Sequence, residues 1–350
     1  MMADQDNPLP GLPYVESPFF DDLFDPADPI YPIARSLNEH GYAVIDFPDA
    51  GFDALAETIK HNLHDRYDWQ QWQQSGQSLR LQDAWRYEPA VKDIAVNPGI
   101  LSLLHRLYGR RAFPFQTLNF PVGTQQHFHT DSVHFSSRPE RFMCGVWVAL
   151  EDIGPDQGPL LYYPGSHAWP IYTREHIGEA YYREEGGLQA AFEPMWRRLA
   201  ERSGVARETF HARKGQALIW AANLLHGGMT HHDRTLTRWS QVTHYYFEDC
   251  TYYTPLNSNE PLGDVDSRQP FDIRTGAPVR GGYLGTPAPR PGEAVPILHP
   301  PHDRVIRVPA GMPPFDPAKY LELNPDIAAA GVDPSFHFNY YGRHEDRRWY

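Results

Sequence analysis

The segment QQHFHTDSVHF, residues 125–135, holds four groups able to bind a metal: His127, His129, Asp131 and His134. In an extended chain, residues i and i+2 point the same way, so His129 and Asp131 can offer an imidazole and a carboxylate to one ion. His127 shares that parity and would serve in a shifted register; only His129 gives the His-x-Asp spacing. A third ligand must come from elsewhere in the chain. The stretch GQALIWAANLLHGGMTHHDRTLTRWSQVTHYYF, residues 215–247, supplies His226 at the end of an apolar run opened by Gly215. Two histidines and one carboxylate on one face of iron(II) leave the other positions open for a co-substrate and oxygen. A second run begins near Arg238, whose planar fork matches a carboxylate. That makes it the candidate clamp for the distal carboxylate of 2-oxoglutarate. Ser240 shares a strand face with Arg238 and would add a hydroxyl. His244 lies on that face too, and it and His134 are candidates to line a substrate pocket. Arg234 competes with Arg238, but it sits in the loop before the strand-like run. His231 and His232 are loop histidines, expected to face solvent or to serve in hydrogen bonds.

These residues need a scaffold of strands. Thirty-four prolines in 350 residues mean many turns and few long helices, which favours a β-rich fold. Short apolar or alternating runs predict strands at 42–47, 114–120, 125–131, 142–150, 159–163, 208–212, 216–222 and 238–247. Regularly spaced short strands suggest a barrel or sandwich. Helical periodicity marks 32–39 (closed by Gly41), 52–66 and 89–108, and a helical insertion is expected at about 172–201. The organisation read from the chain is an irregular arm over 1–30, a barrel domain over 31–250, a Pro/Gly-rich wrapping segment over 251–311, and a small module of two short helices over 312–350. That module is too small for an independent core.

Composition narrows the function. The net charge of −13 argues against a general nucleic-acid binder and against attachment to an anionic membrane. No run of roughly 18 apolar residues predicts a membrane span, and the acidic, Pro-rich start has no secretory signal pattern. A cytoplasmic protein is expected. Cys144 and Cys250 are the two cysteines; two cannot make a disulfide framework or a four-cysteine zinc site, and both read as structural thiols.

The stretch from Gln116 to Tyr246 resembles the phytanoyl-CoA dioxygenase family. The carrying pieces are HTD at 129–131, VWVALEDIGPDQGPLLYYPGSH at 146–167, LLHGG at 224–228 and RWSQVTHYY at 238–246. The resemblance implies a double-stranded β-helix, a jelly-roll barrel flanked by helices. It implies that His129, Asp131 and His226 bind iron(II) and that Arg238 clamps 2-oxoglutarate. The expected reaction is hydroxylation of an unactivated C–H bond of a small molecule, or of a glycan- or lipid-related metabolite, with release of succinate and CO2. In similar enzymes the strand before His-x-Asp sends polar side chains to the co-substrate; Gln116 and Asn119 are the candidates here. They differ in parity, so both face inward only if a bulge intervenes. Trp147 is a candidate to pack near the co-substrate. The Pro164–His167 turn reads as a brace for the barrel wall. Similar halogenating enzymes replace the carboxylate ligand with a small residue, so Asp131 points to hydroxylation.

The competing reading is a metal- and 2-oxoglutarate-binding sensor or scaffold on the same fold. Zinc hydrolysis is also compatible with the ligand types, but gives no reason for Arg238 and shows no evident general base. The insertion carries Arg174, Arg183, Arg197 and Arg198, read as a solvated charged face. YLELNPDIAAAGVDPSFHFNYYGRHEDRRW, residues 320–349, resembles a short motif appended to bacterial glycosyltransferases and similar surface-glycan enzymes. That implies a bacterial protein near saccharide or lipid-conjugate metabolism.

Overall fold

A computed structural model describes residues 7–178, 187–288, 314–342, 345 and 347–350. The chain divides into two compact units, with the boundary between Ala288 and Pro289.

The first unit begins with helices that back a sheet. A short helix α1 (Phe20–Leu23) lies within the arm and is followed by α2 (Tyr31–His40). Helix α2 stops at Gly41, whose φ of 79° is the left-handed conformation that glycine adopts without strain. The missing side chain has a second use, because a Cβ at position 41 would lie 2.5 Å from the His167 imidazole. Strand β1 (Tyr42–Asp46) and helix α3 (Phe52–Leu63) follow. Helix α4 (Trp69–Ser75), not anticipated from periodicity, is opened by Asp68, which accepts a hydrogen bond from the Gln71 N–H. Next comes the two-residue strand β2 (Leu81–Gln82). The helix expected over 89–108 is two helices, α5 (Pro89–Ala95) and α6 (Pro98–Tyr108). Asn97 caps the second by accepting from Ile100 N–H, and Pro98 has no N–H to carry the first helix onward.

The remaining strands are β3 (Ala112–Phe120), β4 (Ser136–Arg138), β5 (Met143–Ala149), β6 (Leu160–Tyr162), β7 (Glu208–Phe210), β8 (Gln216–Ala221), β9 (His226–Gly228), β10 (Ser240–Phe247), β11 (Thr251–Tyr253) and β12 (Ser267–Arg268). The expected strand over 125–131 does not form. Gln125 has φ 51°, Asp131–Val133 is a 3-10 turn, and His129 alone pairs there, in an isolated antiparallel bridge with His226. The insertion between β6 and β7 contains α7 (Arg174–Ile177), α8 (Gly187–Ala190) and α9 (Glu193–Ser203). Arg197 and Arg198 are exposed on α9, while Trp196 and Ala200 are buried; Arg183 lies outside the described residues. Within the expected wrapping segment, β11 pairs with β4 and β12, and small hairpins follow as far as Pro287. Its part from 289 to 311 lies outside the described residues.

Two antiparallel sheets form the barrel. The larger has the order β1-β8-β5-β10-β3-β2, the smaller β7-β6-β9. This is a double-stranded β-helix. Cross-strand partners share a face, so the register lays out the inner wall in rungs. One rung runs Trp220, Gly145, His244, Gln116; the next runs Leu218, Trp147, Val242, Leu118, Gln82. Between the sheets lie Phe120, Trp147, Leu160, Phe210, Leu218, Trp220 and Val242. The outer face of the larger sheet, through Val146, Ile219 and Tyr245, packs on Ile59 and Leu63 of α3, Val91 and Ile94 of α5 and Leu104 of α6. Trp196 and Phe192 join Val133, Leu225 and Leu256 in a third cluster, which seats α9 beside the 3-10 turn. Both cysteines are buried free thiols.

The second unit holds three short helices where two were expected: α10 (Pro317–Leu323), α11 (Pro325–Ala329) and α12 (Pro334–His337), the last continuing into a π-helical turn, Phe338–Gly342. Asn324 and Pro325 divide the first two. Tyr320, Ile327 and Phe338 are its buried apolar residues. Residues 312, 313, 343, 344 and 346 lie outside the described residues. Among the described residues no helix is long and apolar enough to cross a membrane.

Candidate metal centre and cavity

His129 and His226 face each other in the isolated bridge. The His129 N–H donates to the His226 carbonyl at 2.8 Å, and the His226 N–H returns a bond to the His129 carbonyl at 2.9 Å. Each imidazole is tied in the same manner: His129 Nδ1 lies 3.0 Å from the His127 carbonyl and His226 Nδ1 lies 2.9 Å from the Leu224 carbonyl. A carbonyl can only accept, so both rings carry their proton on Nδ1 and offer a bare Nε2. Thr130 is extended, with φ −109° and ψ 139°, so the i, i+2 argument holds locally although no strand forms. Asp131 turns its carboxylate to the two bare nitrogens. Its Oδ1 lies 3.8 Å from His129 Nε2 and its Oδ2 lies 3.9 Å from His226 Nε2. These gaps exceed hydrogen-bond length and suit one ion bonded at roughly 2.1 Å to each atom. The ligand atoms of these three buried residues all fall within 4.8 Å of one another.

The electrostatics agree with metal binding. Burial, reinforced by the His226 ring, pushes the His129 imidazole down to about 3, so it stays neutral and available as a ligand. Burial pushes the Asp131 carboxyl up, but His226, His244, His129 and the Trp220 indole together outweigh it and hold the group at about 2. Trp220 was not singled out from the sequence. Its Nε1–H donates to Asp131 Oδ2 at 2.7 Å, within a buried contact. The indole can lie there because its cross-strand partner is Gly145, where a Cβ would meet the ring at 2.3 Å.

A cavity of about 230 Å³ opens from this cluster and is lined by the three residues together with Gln116, His134, Trp147, Arg238 and His244. Arg238 is fully buried. Its Nη1 donates to Ser240 Oγ at 3.1 Å and its guanidinium carbon lies 5.0 Å from the Trp147 ring centre. Its Nε and Nη2 have no hydrogen-bond partner, and burial pushes its pKa down to about 9. An unpaired buried guanidinium is costly; a carboxylate entering the cavity would relieve it. Arg234, the competing candidate, is on the surface, where its Nη1 donates to the Gln73 carbonyl.

His244 Nδ1 bonds Gln116 Oε1 at 2.9 Å, and its Nε2 lies 3.7 Å from Asp131 Oδ2. Burial pushes it down to about 4. His134 Nε2 bonds Gln189 Oε1 of the insertion at 3.0 Å. Asn119 departs from its expected place. The sheet does bulge, between His244 and Tyr245 opposite Gln116 and Pro114. That bulge does not fall between 116 and 119, so the two keep opposite faces. Asn119 is fully buried on the outer face and bonds Gln241, which reaches the Val91 carbonyl of α5. His231 is buried, its Nδ1 accepting from Gly123 N–H and its Nε2 donating to the Asp233 carbonyl. In the Pro164–His167 turn, Ser166 Oγ accepts from Leu225 N–H and His167 Nε2 bonds the Asn38 carbonyl. The turn thereby steadies the residue next to His226.

A family model for phytanoyl-CoA dioxygenase matches residues 37–235. The chain belongs to the phytanoyl-CoA dioxygenase family. The match spans the segments that carry His129, Asp131 and His226 and stops three residues short of Arg238. A curated member, the probable phytanoyl-CoA dioxygenase of Caenorhabditis elegans, is 28% identical over 115 residues, covering 30% of this chain. The chain spans 35% of that relative's length. Among solved structures, the non-haem α-ketoglutarate-dependent carbocyclase SnoK of nogalamycin biosynthesis has a TM-score of 0.51 at 18% identity, over 71% of this chain and 93% of its own. The epimerase SnoN, solved with Fe3+, α-ketoglutarate and nogalamycin RO, has a TM-score of 0.51 at 22% identity, over 73% and 97%. At these identities the likeness is one of fold, and it agrees with the two-sheet barrel described above.

Proposed function

We propose that this chain is an iron(II)- and 2-oxoglutarate-dependent oxygenase that hydroxylates a C–H bond of a small-molecule or glycan- or lipid-related substrate. The observation that carries the reading is Arg238: a buried cation without a carboxylate partner, in the same cavity as two imidazoles and a carboxylate. Hydrolysis of a bond at the metal does not by itself call for such a group. In this reading His129, Asp131 and His226 hold the iron, and Arg238 with Ser240 receives the distal carboxylate of 2-oxoglutarate. When bound, the iron supplies the oxygen chemistry: 2-oxoglutarate loses CO2 and becomes succinate, one atom of O2 entering succinate and the other the substrate.

The protein's part is positioning and exclusion of water. Trp147, Leu118, Phe120 and Val242 make the apolar wall near Arg238. Trp220 fixes the carboxylate plane of Asp131, and Gln116 fixes the His244 ring. An intact Asp131 supports hydroxylation over halogenation. The C-terminal motif supports a saccharide- or lipid-linked substrate.

The test is anaerobic titration of the iron-loaded protein with 2-oxoglutarate, followed by oxygen admission and assay of succinate. Wild type should bind 2-oxoglutarate and release succinate. Asp131→Ala and His226→Ala should each lose iron affinity by roughly 100-fold or more and release none. Wild-type succinate yield from either variant would refute the ligand set. Binding of 2-oxoglutarate without any oxygen-dependent succinate would favour a sensor.

A further inference from the structure

We infer that the substrate is an oxygen-rich anion, a metabolite bearing hydroxyl or carbonyl groups and a carboxylate or phosphate that Arg80 receives at the cavity mouth. This rests on the preceding reading, in which 2-oxoglutarate occupies the Arg238 end.

Burial orders the cavity by depth. Arg238 is fully buried, whereas Arg80, Gln82 and Gln126 line the same cavity and are exposed. They therefore mark its mouth. The register explains why two of them face inward: Gln82 pairs with Leu118, an inner-wall residue, and Arg80 precedes it by two. In a chain of net charge −13, many arginines are spent in ion pairs, among them Arg106, Arg111, Arg141 and Arg274. Arg80 has neither an ion pair nor a hydrogen bond among the described residues.

Deeper in, two carboxamides are held in one sense. Gln116 spends its oxygen on the His244 ring and Gln189 spends its oxygen on the His134 ring. What each has left is an NH2 group, which can only donate. Gln82 and Gln126 add carboxamides whose side chains make no hydrogen bond among the described residues. Among the described residues, Asp131 is the one carboxylate that lines the cavity. Among the described residues the lining thus sets, beside its apolar wall, two carboxamides that can only donate, two that donate or accept, and one unpaired cation at the mouth, which favours acceptor oxygens and negative charge on the ligand. A plain acyl chain would cover the amide groups of Gln116 and Gln189 and return no hydrogen bonds.

The test is anaerobic calorimetry on the full chain loaded with iron(II) and 2-oxoglutarate, using D-glucuronate, glucose 6-phosphate, glucose and decanoate as probes. At least one of the two anionic sugars should bind, about ten-fold or more tighter than glucose. The tighter of them tells carboxylate from phosphate. Arg80→Ala should weaken that binding about ten-fold or more, whereas Arg207→Ala, an exposed arginine that does not line the cavity, should not. The inference fails if neither anion binds to protein that has taken up 2-oxoglutarate, if decanoate binds more tightly than both, or if Arg80→Ala weakens 2-oxoglutarate in place of the probe. Failure of the wild-type protein to bind 2-oxoglutarate would instead sink the preceding reading, and this one with it.

Discussion

Two arginines, Arg238 fully buried and Arg141 mostly so, show opposite solutions to the same problem. Arg141 lies in a cleft between the N-terminal arm and the Pro164–His167 turn. There it pairs with the buried Glu16 and donates to the carbonyls of His167 and Trp169. Arg238 lies in the metal cavity and has a single serine hydroxyl as partner. The first cation is satisfied by the fold and so belongs to the fold. The second is left wanting, and the chain accepts that cost because a ligand supplies the counter-charge. Burial alone does not distinguish a structural arginine from a binding one; the count of its unmet donors does.

The sharpest way to break this contrast is to remove each cation in turn. Arg238→Met should weaken 2-oxoglutarate binding by about 2–4 kcal/mol, with the urea midpoint unchanged or raised, since an unpaired buried charge is lost. Arg141→Met should do the reverse. Stripping Glu16 of its partner should cost about 2–4 kcal/mol of stability, reduced from the fully buried case because Arg141 remains 20% exposed, and 2-oxoglutarate affinity should hold. Both effects are read from one pair of titrations, and a stability loss in Arg238→Met equal to that in Arg141→Met would dissolve the distinction.

A smaller effect should come from the indole beside the carboxylate. Trp220→Phe keeps an aromatic ring in place but loses the bond to Asp131 Oδ2, and iron(II) affinity should fall by about ten-fold. Gly145→Ala should move it the same way without touching a ligand, because its methyl would displace the indole. Competition with a chelator measures both, and unchanged affinity in Trp220→Phe would leave the indole a packing role only. Smallest at the site is Asn119→Ala. It should leave 2-oxoglutarate affinity where it was and cost about 1–2 kcal/mol of stability by leaving Gln241 Oε1 without its donor. A fall in 2-oxoglutarate affinity would return Asn119 to the cavity wall.

What the sequence disclosed follows from the range over which each signal acts. His129 and Asp131 were readable because their relation is two residues of extended chain. Arg238, Ser240 and His244 were readable because strand parity carries down β10. The break at Asn97–Pro98 was written in the chain as a cap followed by a helix-starting proline, and the apolar spacing across 89–108 masked it. The alternation at 125–131 imitated a strand, although the segment meets β9 only through the His129–His226 bridge and the Gly228 N–H bond to the Gln126 carbonyl and then turns into the 3-10 turn at Asp131. Trp220 could not be found locally. Its bond to Asp131 spans 89 positions and depends on a glycine in a neighbouring strand. Gln189 sits in the insertion, and only the seating of α9 through Trp196 brings that segment to His134. Asn119 was assigned to the co-substrate on likeness, and the position of one bulge decided against it.

The paired tethers of His129 and His226 have a consequence for how such a protein changes over time. Each ring is aimed by a carbonyl two residues behind it, and the two backbones clasp each other directly. The hydrogen bonds that aim the two rings therefore come from their own backbone, and helix α9 of the insertion adds packing, with Trp196 beside the His129 ring. Lengthening or recharging the insertion leaves both tethers in place. The molecule separates a part that aims the ligands from a part that shapes the cavity through Gln189, and new substrates are to be sought by exchanging the second.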